Sequence, residues 1–169
     1  PEYVHPDISQ VWRRMGDSLV RRASPPGHPE RIFCSRRPGK RNCNNTREVE
    51  ELFSRNGFSI VFPEDYSLPD QVALFRTAQV VAGFAGSALF NLCWSVEPKR
   101  VIALATESYT ARNEYLIAAV LGHELHFITS VPDISHPAKG PRSRKAFRSD
   151  FTFDLDREGR TVEAILRSL

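Results

Sequence analysis

The chain is poor in the residues that mark several common functions. Its 169 residues include three cysteines, Cys34, Cys43 and Cys93, an odd count with no C-x-x-C pair, so neither a disulfide framework nor a zinc knuckle is indicated. A reduced, cytoplasmic setting is the expectation, with peripheral contact at a membrane left open. No apolar run approaches the roughly 20 residues of a membrane-spanning helix, and no signal-peptide pattern opens the chain. The first residue is Pro1 rather than Met, which suggests a piece of a longer protein. With 41% hydrophobic and 25% charged residues, the composition is that of one globular domain rather than a disordered segment or linker.

Acids are missing from two stretches. Arg31, Arg36, Arg37, Lys40, Arg41 and Arg47 form one run without an acid, and Lys139, Arg142, Arg144, Lys145 and Arg148 form another. These are 11 of the 23 basic residues; the other 12 face 20 acids, so outside the two runs the balance is −8. The net +3 therefore conceals local basicity.

Alternating elements are legible along the chain. Asp7 precedes an apolar stripe, Ile8, Val11, Trp12, Met15, Leu19 and Val20, spaced as on an amphipathic helix that runs to about residue 23 and is broken by Ser24-Pro25-Pro26-Gly27. Strands are expected at 31–35, 58–62, 79–82, 101–104 and 125–129. Helices are expected at 46–56, capped by a box of Asn45 with Glu48, at 68–78, capped by Ser67 with Asp70, and at 111–121, with helical character over 87–94. Such alternation predicts an α/β fold with a parallel sheet covered by helices on both faces. Three parts are expected: an N-terminal helix and linker (1–30), a Rossmann-like domain (31–135), and a basic loop followed by a strand (151–155) and a helix (161–168) as an appendage (136–169).

In such a sheet the strand-to-helix loops gather at the carboxyl edge, where ligands bind. The Gly83-Phe84-Ala85-Gly86-Ser87 turn could offer backbone N–H groups to a phosphate, although it serves equally as a tight turn. The adjoining loop supplies Arg36 and Arg41, which suit bidentate contact with phosphate oxygens. Glu64, Glu107 and Glu114 are candidates for accepting hydrogen bonds from sugar hydroxyls, and Tyr109 for stacking on a base; each reads equally as a solvated acid or a loop anchor. His123-Glu124-Leu125-His126 spaces its histidines by three where a zinc helix needs four. Asp154-Leu155-Asp156 reads as a turn, and Gly86-Ser87 lacks the rest of a nucleophile elbow.

Ser35-Arg36, Arg41, Asn45, Gly57-Phe58, Pro63-Glu64, Ser67, Gln71, Phe75, Ala78 and the run from Gly83 to Asn91 resemble, in order and spacing, the carboxyl-terminal half of family 61 glycosyltransferases, over about 31–128. The resemblance implies the donor-binding lobe of a two-domain GT-B architecture, an inverting transfer from a nucleotide-sugar, usually a UDP-sugar, and no cofactor or obligatory metal. It implies a glycan or polysaccharide acceptor and a second, N-terminal domain as partners, with no nucleic acid. Arg36 and Arg41 would lie at the donor phosphates, with Gly83, Gly86 and Ser87 in the glycine turn and Asn91 bracing it. Tyr109, Arg112, Asn113 and Glu114 would lie toward the ribose, and Ser35 and Glu64 would belong to the same donor site. Many members carry Gly-x-His-Gly-Ala-Gly-Leu-Thr-Asn; here Ala85 stands at the histidine, Ala88 at the last glycine and Phe90 at the threonine. The departure leaves open a pseudoenzyme with this fold. The basic runs leave open a different class, a non-catalytic module for nucleic acid or another polyanion, against which counts their scarcity of stacking aromatics.

Overall fold

The computed structural model describes residues 4–24, 27, 29–110 and 112–168. Pro25 and Pro26, expected to break the first helix, and Ala111, expected to open the helix over 111–121, lie outside the described residues. In chain order the elements are α1 (Ile8–Val20), β1 (Arg31–Cys34), α2 (Thr46–Arg55), β2 (Ser59–Val61), α3 (Leu68–Thr77), β3 (Val80–Phe84), a 3-10 helix (Ser87–Trp94), β4 (Arg100–Thr106), α4 (Arg112–Leu121), β5 (Glu124–Ser130), the short α5 (Arg144–Phe147) and α6 (Glu158–Arg167). A further 3-10 turn, Pro63–Asp65, follows β2.

The five strands form one all-parallel sheet in the order β2-β1-β3-β4-β5. Its register lines up Ile32, Val81, Val101 and Leu125 across four strands. Because side chains alternate along a strand, the next residues point the other way. Ile32, Cys34, Val81, Val101 and Ala103 pack with Leu74 and Phe75 of α3, Leu89 and Leu92 of the 3-10 helix and Ile117 of α4. Phe33, Val80, Ala82, Phe84, Ile102 and Leu104 pack on the opposite face with Val49, Leu52 and Phe53 of α2 and Val162 and Leu166 of α6. Buried on both faces, the strands read as apolar runs rather than alternating ones. The result is the expected Rossmann-like α/β sheet with helices on both sides.

Three local expectations are corrected. Asn45 places no side-chain cap on α2; its Oδ1 accepts from the Phe153 N–H at 2.9 Å and its Nδ2 donates to the Phe153 carbonyl and to Glu48. The stretch 151–155 forms no strand, only bridges of Phe151 to Cys43 and Pro132. The loop after β1 has taken its hydrogen bonds: Asn44 N–H donates to the Phe151 carbonyl and Phe151 N–H to the Asn42 carbonyl. The last helix starts at Glu158 rather than Thr161, because Asp154 Oδ1 accepts from the Asp156 and Arg157 N–H groups and turns the chain early. Phe151 and Phe153 are buried in the same core as Phe33 and Phe84.

Candidate functional site

In this strand order the sheet reverses direction of growth between β1 and β3, and there the loops leaving their carboxyl ends part to open a crevice. Arg36 and Arg41 come from the loop after β1, and Ala85 and Gly86 from the turn after β3. Arg36 donates from Nη2 to the Ala85 carbonyl at 2.6 Å and from Nη1 to the Lys40 and Arg41 carbonyls at 3.3 Å. Its guanidinium lies over the Phe84 ring, 5.5 Å from the centroid. Burial, reinforced by the neighbouring Arg41 charge, lowers its pKa to about 10, so it stays cationic at neutral pH.

Arg41 occupies the left-handed region with φ 55°, its N–H donating to the Arg148 carbonyl at 3.2 Å. Its guanidinium sits 4.6 Å from the Tyr109 ring centroid and 5.2 Å from that of Phe147. Each such contact contributes about 0.5–2 kcal/mol, according to its desolvation. Gly86 has φ 144°, and a Cβ placed on it would lie 3.4 Å from the Nη2 atoms of both arginines. The hydrogen in place of a side chain leaves room for both guanidiniums beside one backbone turn. Like charges so close repel, and an anion seated between them relieves that repulsion.

Below the turn lies Glu114, 1% exposed, accepting at Oε1 from the Tyr109 hydroxyl at 2.9 Å. Burial raises the Glu114 carboxyl above its ordinary range, against the stabilising pull of Tyr109, the Gly86 N–H and Arg41. Burial and the adjacent carboxylate likewise push the Tyr109 phenol up. The site therefore brings together Arg36, Arg41, Gly86, Tyr109 and Glu114.

The other sequence candidates lie elsewhere. Ser35 is buried and donates to Glu50 Oε1. Gly83 is inside β3, where a Cβ would meet the Cys34 carbonyl at 2.6 Å, so this glycine permits the close approach of β1 and β3. Ser87 is exposed at the start of the 3-10 helix. Asn91 works within that helix, donating to the Ala88 carbonyl and accepting from Trp94. Glu64 is exposed in the 3-10 turn after β2, 3.9 Å from Arg37, which pairs closely with Asp65. Arg112 and Asn113 are exposed on the first turn of α4, and Asn113 borders a groove with Trp12, Phe90 and Ile117.

Two participants lay outside the sequence reading. Phe147 and the Arg148 carbonyl come from the second basic run, which folds back on the first. Phe147 is the single aromatic in that run, the one signal that pointed to it. Ala85, at the position of the family's histidine, is 2% exposed in the core, and only its carbonyl takes part.

Two cavities adjoin the sheet ends. One of about 280 Å³ lies past β4, lined by Ser108, Tyr109, Tyr115, His136 and Arg142; His136 closes it by accepting from Ser143 N–H and facing the Ser108 carbonyl. The other, about 800 Å³, lies at the amino edge among Arg31, Arg76, Lys99, Arg100 and Glu124. Its cations are engaged: Arg76 with Asp17, Arg100 with Glu124, and Lys99 with the Ala78 and Arg76 carbonyls. Among the described residues no group of three or more His, Cys, Asp and Glu is placed to hold a metal ion. His123 is buried against Lys99 N–H and the Leu92 carbonyl, while His126 faces Glu124.

A five-stranded parallel sheet with helices on both faces, and two arginines and a glycine turn at its switch point, defines a Rossmann-like α/β lobe. The glycosyltransferase 61 family model matches residues 1–102, from the N-terminal helix into β4. The chain belongs to that family, and is a glycosyltransferase. No curated protein matches it. Tyr109, Glu114 and Phe147 lie beyond the matched stretch.

Proposed function

We propose that this chain is the donor-binding lobe of an inverting transferase of GT-B architecture, taking a UDP-sugar and passing the sugar to a glycan or polysaccharide acceptor. The convergence of Arg36 and Arg41 on Gly86 at the carboxyl ends of β1 and β3 carries this reading. A diphosphate matches that arrangement in charge. In the transfer, an acceptor hydroxyl attacks the anomeric carbon from the side opposite the nucleotide. The bond from that carbon to the diphosphate oxygen breaks, the new glycosidic bond forms, and the hydroxyl proton passes to a base on a second, N-terminal domain. Negative charge grows on the leaving diphosphate, and two fixed guanidiniums favour that charge more in the transition state than before it. In this reading they perform the neutralisation that a divalent ion performs elsewhere, and no cofactor or metal is needed.

Lys139, Arg144, Lys145 and Arg148 are exposed and have no carboxylate partner among the described residues. This rim favours a second reading, a polyanion-binding module. It also suits an acidic acceptor, or an anionic membrane surface met from the cytoplasm. Calorimetry with UDP and a salt titration of oligonucleotide binding separate the two. The transferase reading predicts UDP binding with weak, non-selective oligonucleotide affinity. Steeply salt-dependent oligonucleotide binding without any response to UDP would replace it with the module.

A further inference from the structure

The Glu114 carboxylate is an internal anion beneath a cluster of cations. Its Oε1 is held by Tyr109, while Oε2 is buried and has no hydrogen-bond partner among the described residues. Three elements enclose it. The loop after β4 contributes Tyr109, the turn after β3 the Gly86 N–H, and the loop after β1 Arg41 and Arg36; Cys43 faces Arg36 in turn. The same Tyr109 supports Arg41 on its ring face, so one side chain joins the buried anion to the cation above.

We propose that Glu114 is a proton-linked positioning residue: its carboxylate fixes Tyr109 beneath Arg41 and the Gly86 turn, and takes up a proton from solvent when a diphosphate settles on Arg36 and Arg41. This rests on the diphosphate reading above. Two anions then share one pair of guanidiniums, and the buried one is the cheaper to neutralise, since burial already favours its protonated form. The complex binds more protons than the free protein. Affinity therefore rises as pH falls through the raised Glu114 titration. Glu114→Gln keeps an acceptor for Tyr109 and removes the charge. Tyr109→Phe removes the hydroxyl that stabilises the carboxylate.

The test is calorimetric titration of the full chain and both variants with UDP from pH 4.5, the ordinary carboxyl value, to about pH 8. The terminal phosphate of UDP itself titrates at about 6, identically for every protein, so the ratio of affinities isolates Glu114. Glu114→Gln is expected to bind about tenfold more tightly at the alkaline end, the size of a one-unit linkage, with the advantage closing as pH falls. Tyr109→Phe is expected to move the wild-type profile to higher pH, and it decides the matter if the glutamine variant does not fold. A ratio constant across pH, or a profile unmoved by Tyr109→Phe, would make Glu114 a packing residue and overturn the proposal. Absence of UDP binding by the wild type would overturn the diphosphate reading, and this inference with it.

Discussion

Arg36 and Arg41 each bring an Nη2 atom within 3.4 Å of where a Cβ of Gly86 would be. Neither meets a carboxylate there: Arg36 leans on the Ala85 carbonyl and the Phe84 ring, Arg41 on the rings of Tyr109 and Phe147. Aromatic faces and a carbonyl orient the two cations; the buried Glu114 carboxylate acts on both from within the fold, with no ion pair to either among the described residues, and leaves charge available to an incoming anion.

The fork geometry of Arg41 should matter as much as its charge. Arg41→Lys keeps the cation but loses planarity and stacking on Tyr109. UDP affinity measured by calorimetry should fall in Arg41→Ala by roughly 10- to 100-fold, the equivalent of one charged hydrogen bond, and Arg41→Lys should recover only part of it. Full recovery by lysine would show that the stacking contributes nothing.

Gly86→Ala should be harmful twice over. Its φ of 144° suits glycine, and the added methyl would crowd both guanidiniums. Thermal melting should report a loss of about 1–3 kcal/mol, and UDP affinity should drop further than that of a surface alanine variant. Wild-type affinity in Gly86→Ala would mean that the arginines do not converge there when ligand binds.

The carboxyl-terminal segment should prove inseparable from the site. Phe151 is fully buried against Phe84, and its backbone holds the loop that carries Arg41. Phe151→Ala should cost about 3–5 kcal/mol in urea denaturation, as for other large-to-small core changes. A loss below about 1 kcal/mol would show that the segment merely rests on the domain.

Stability should carry the signature of Glu114 as well. Its carboxyl is raised in the fold above the ordinary value of 4.5, so the native state binds the extra proton, and stability declines as pH rises from that value through the raised one. The difference in melting temperature between Glu114→Gln and wild type should therefore widen in favour of glutamine as pH increases from about 4.5 toward neutrality. A difference that does not change with pH would contradict the assigned burial effect.

Much of the fold was legible because both faces of the sheet are covered: Ile32-Phe33-Cys34, Val80 to Phe84 and Val101 to Leu104 are apolar runs of strand length, and Ser67 with Asp70 caps α3 as its spacing implies. The loop of arginines was legible as a charge anomaly. Which arginine is engaged was not, because Arg37 finds Asp65 only when the turn after β2 folds beside it. Gly83 and Gly86 look alike in sequence; the pairing of Cys34 with Gly83 assigns the first to strand packing and leaves the second for the site. The latch of Asn42 on Asp150, 108 residues apart, and the seat of Arg41 on Phe147 are long-range contacts with no local pattern to announce them. Glu114 read as a carboxylate open to sugar hydroxyls, since nothing nearby in sequence shows that Tyr109 and the Gly86 turn close over it.

In the proposed reading, Arg36, Arg41 and Gly86 bind a nucleoside diphosphate. Calorimetric titration of the wild type and of the Arg36→Ala/Arg41→Ala variant with UDP and with uridine tests it directly. The wild type is expected to bind UDP, the variant to lose that binding, and both proteins to bind uridine equally and far more weakly. Equal affinity of the two proteins for UDP, or wild-type binding of uridine as tight as that of UDP, would contradict it.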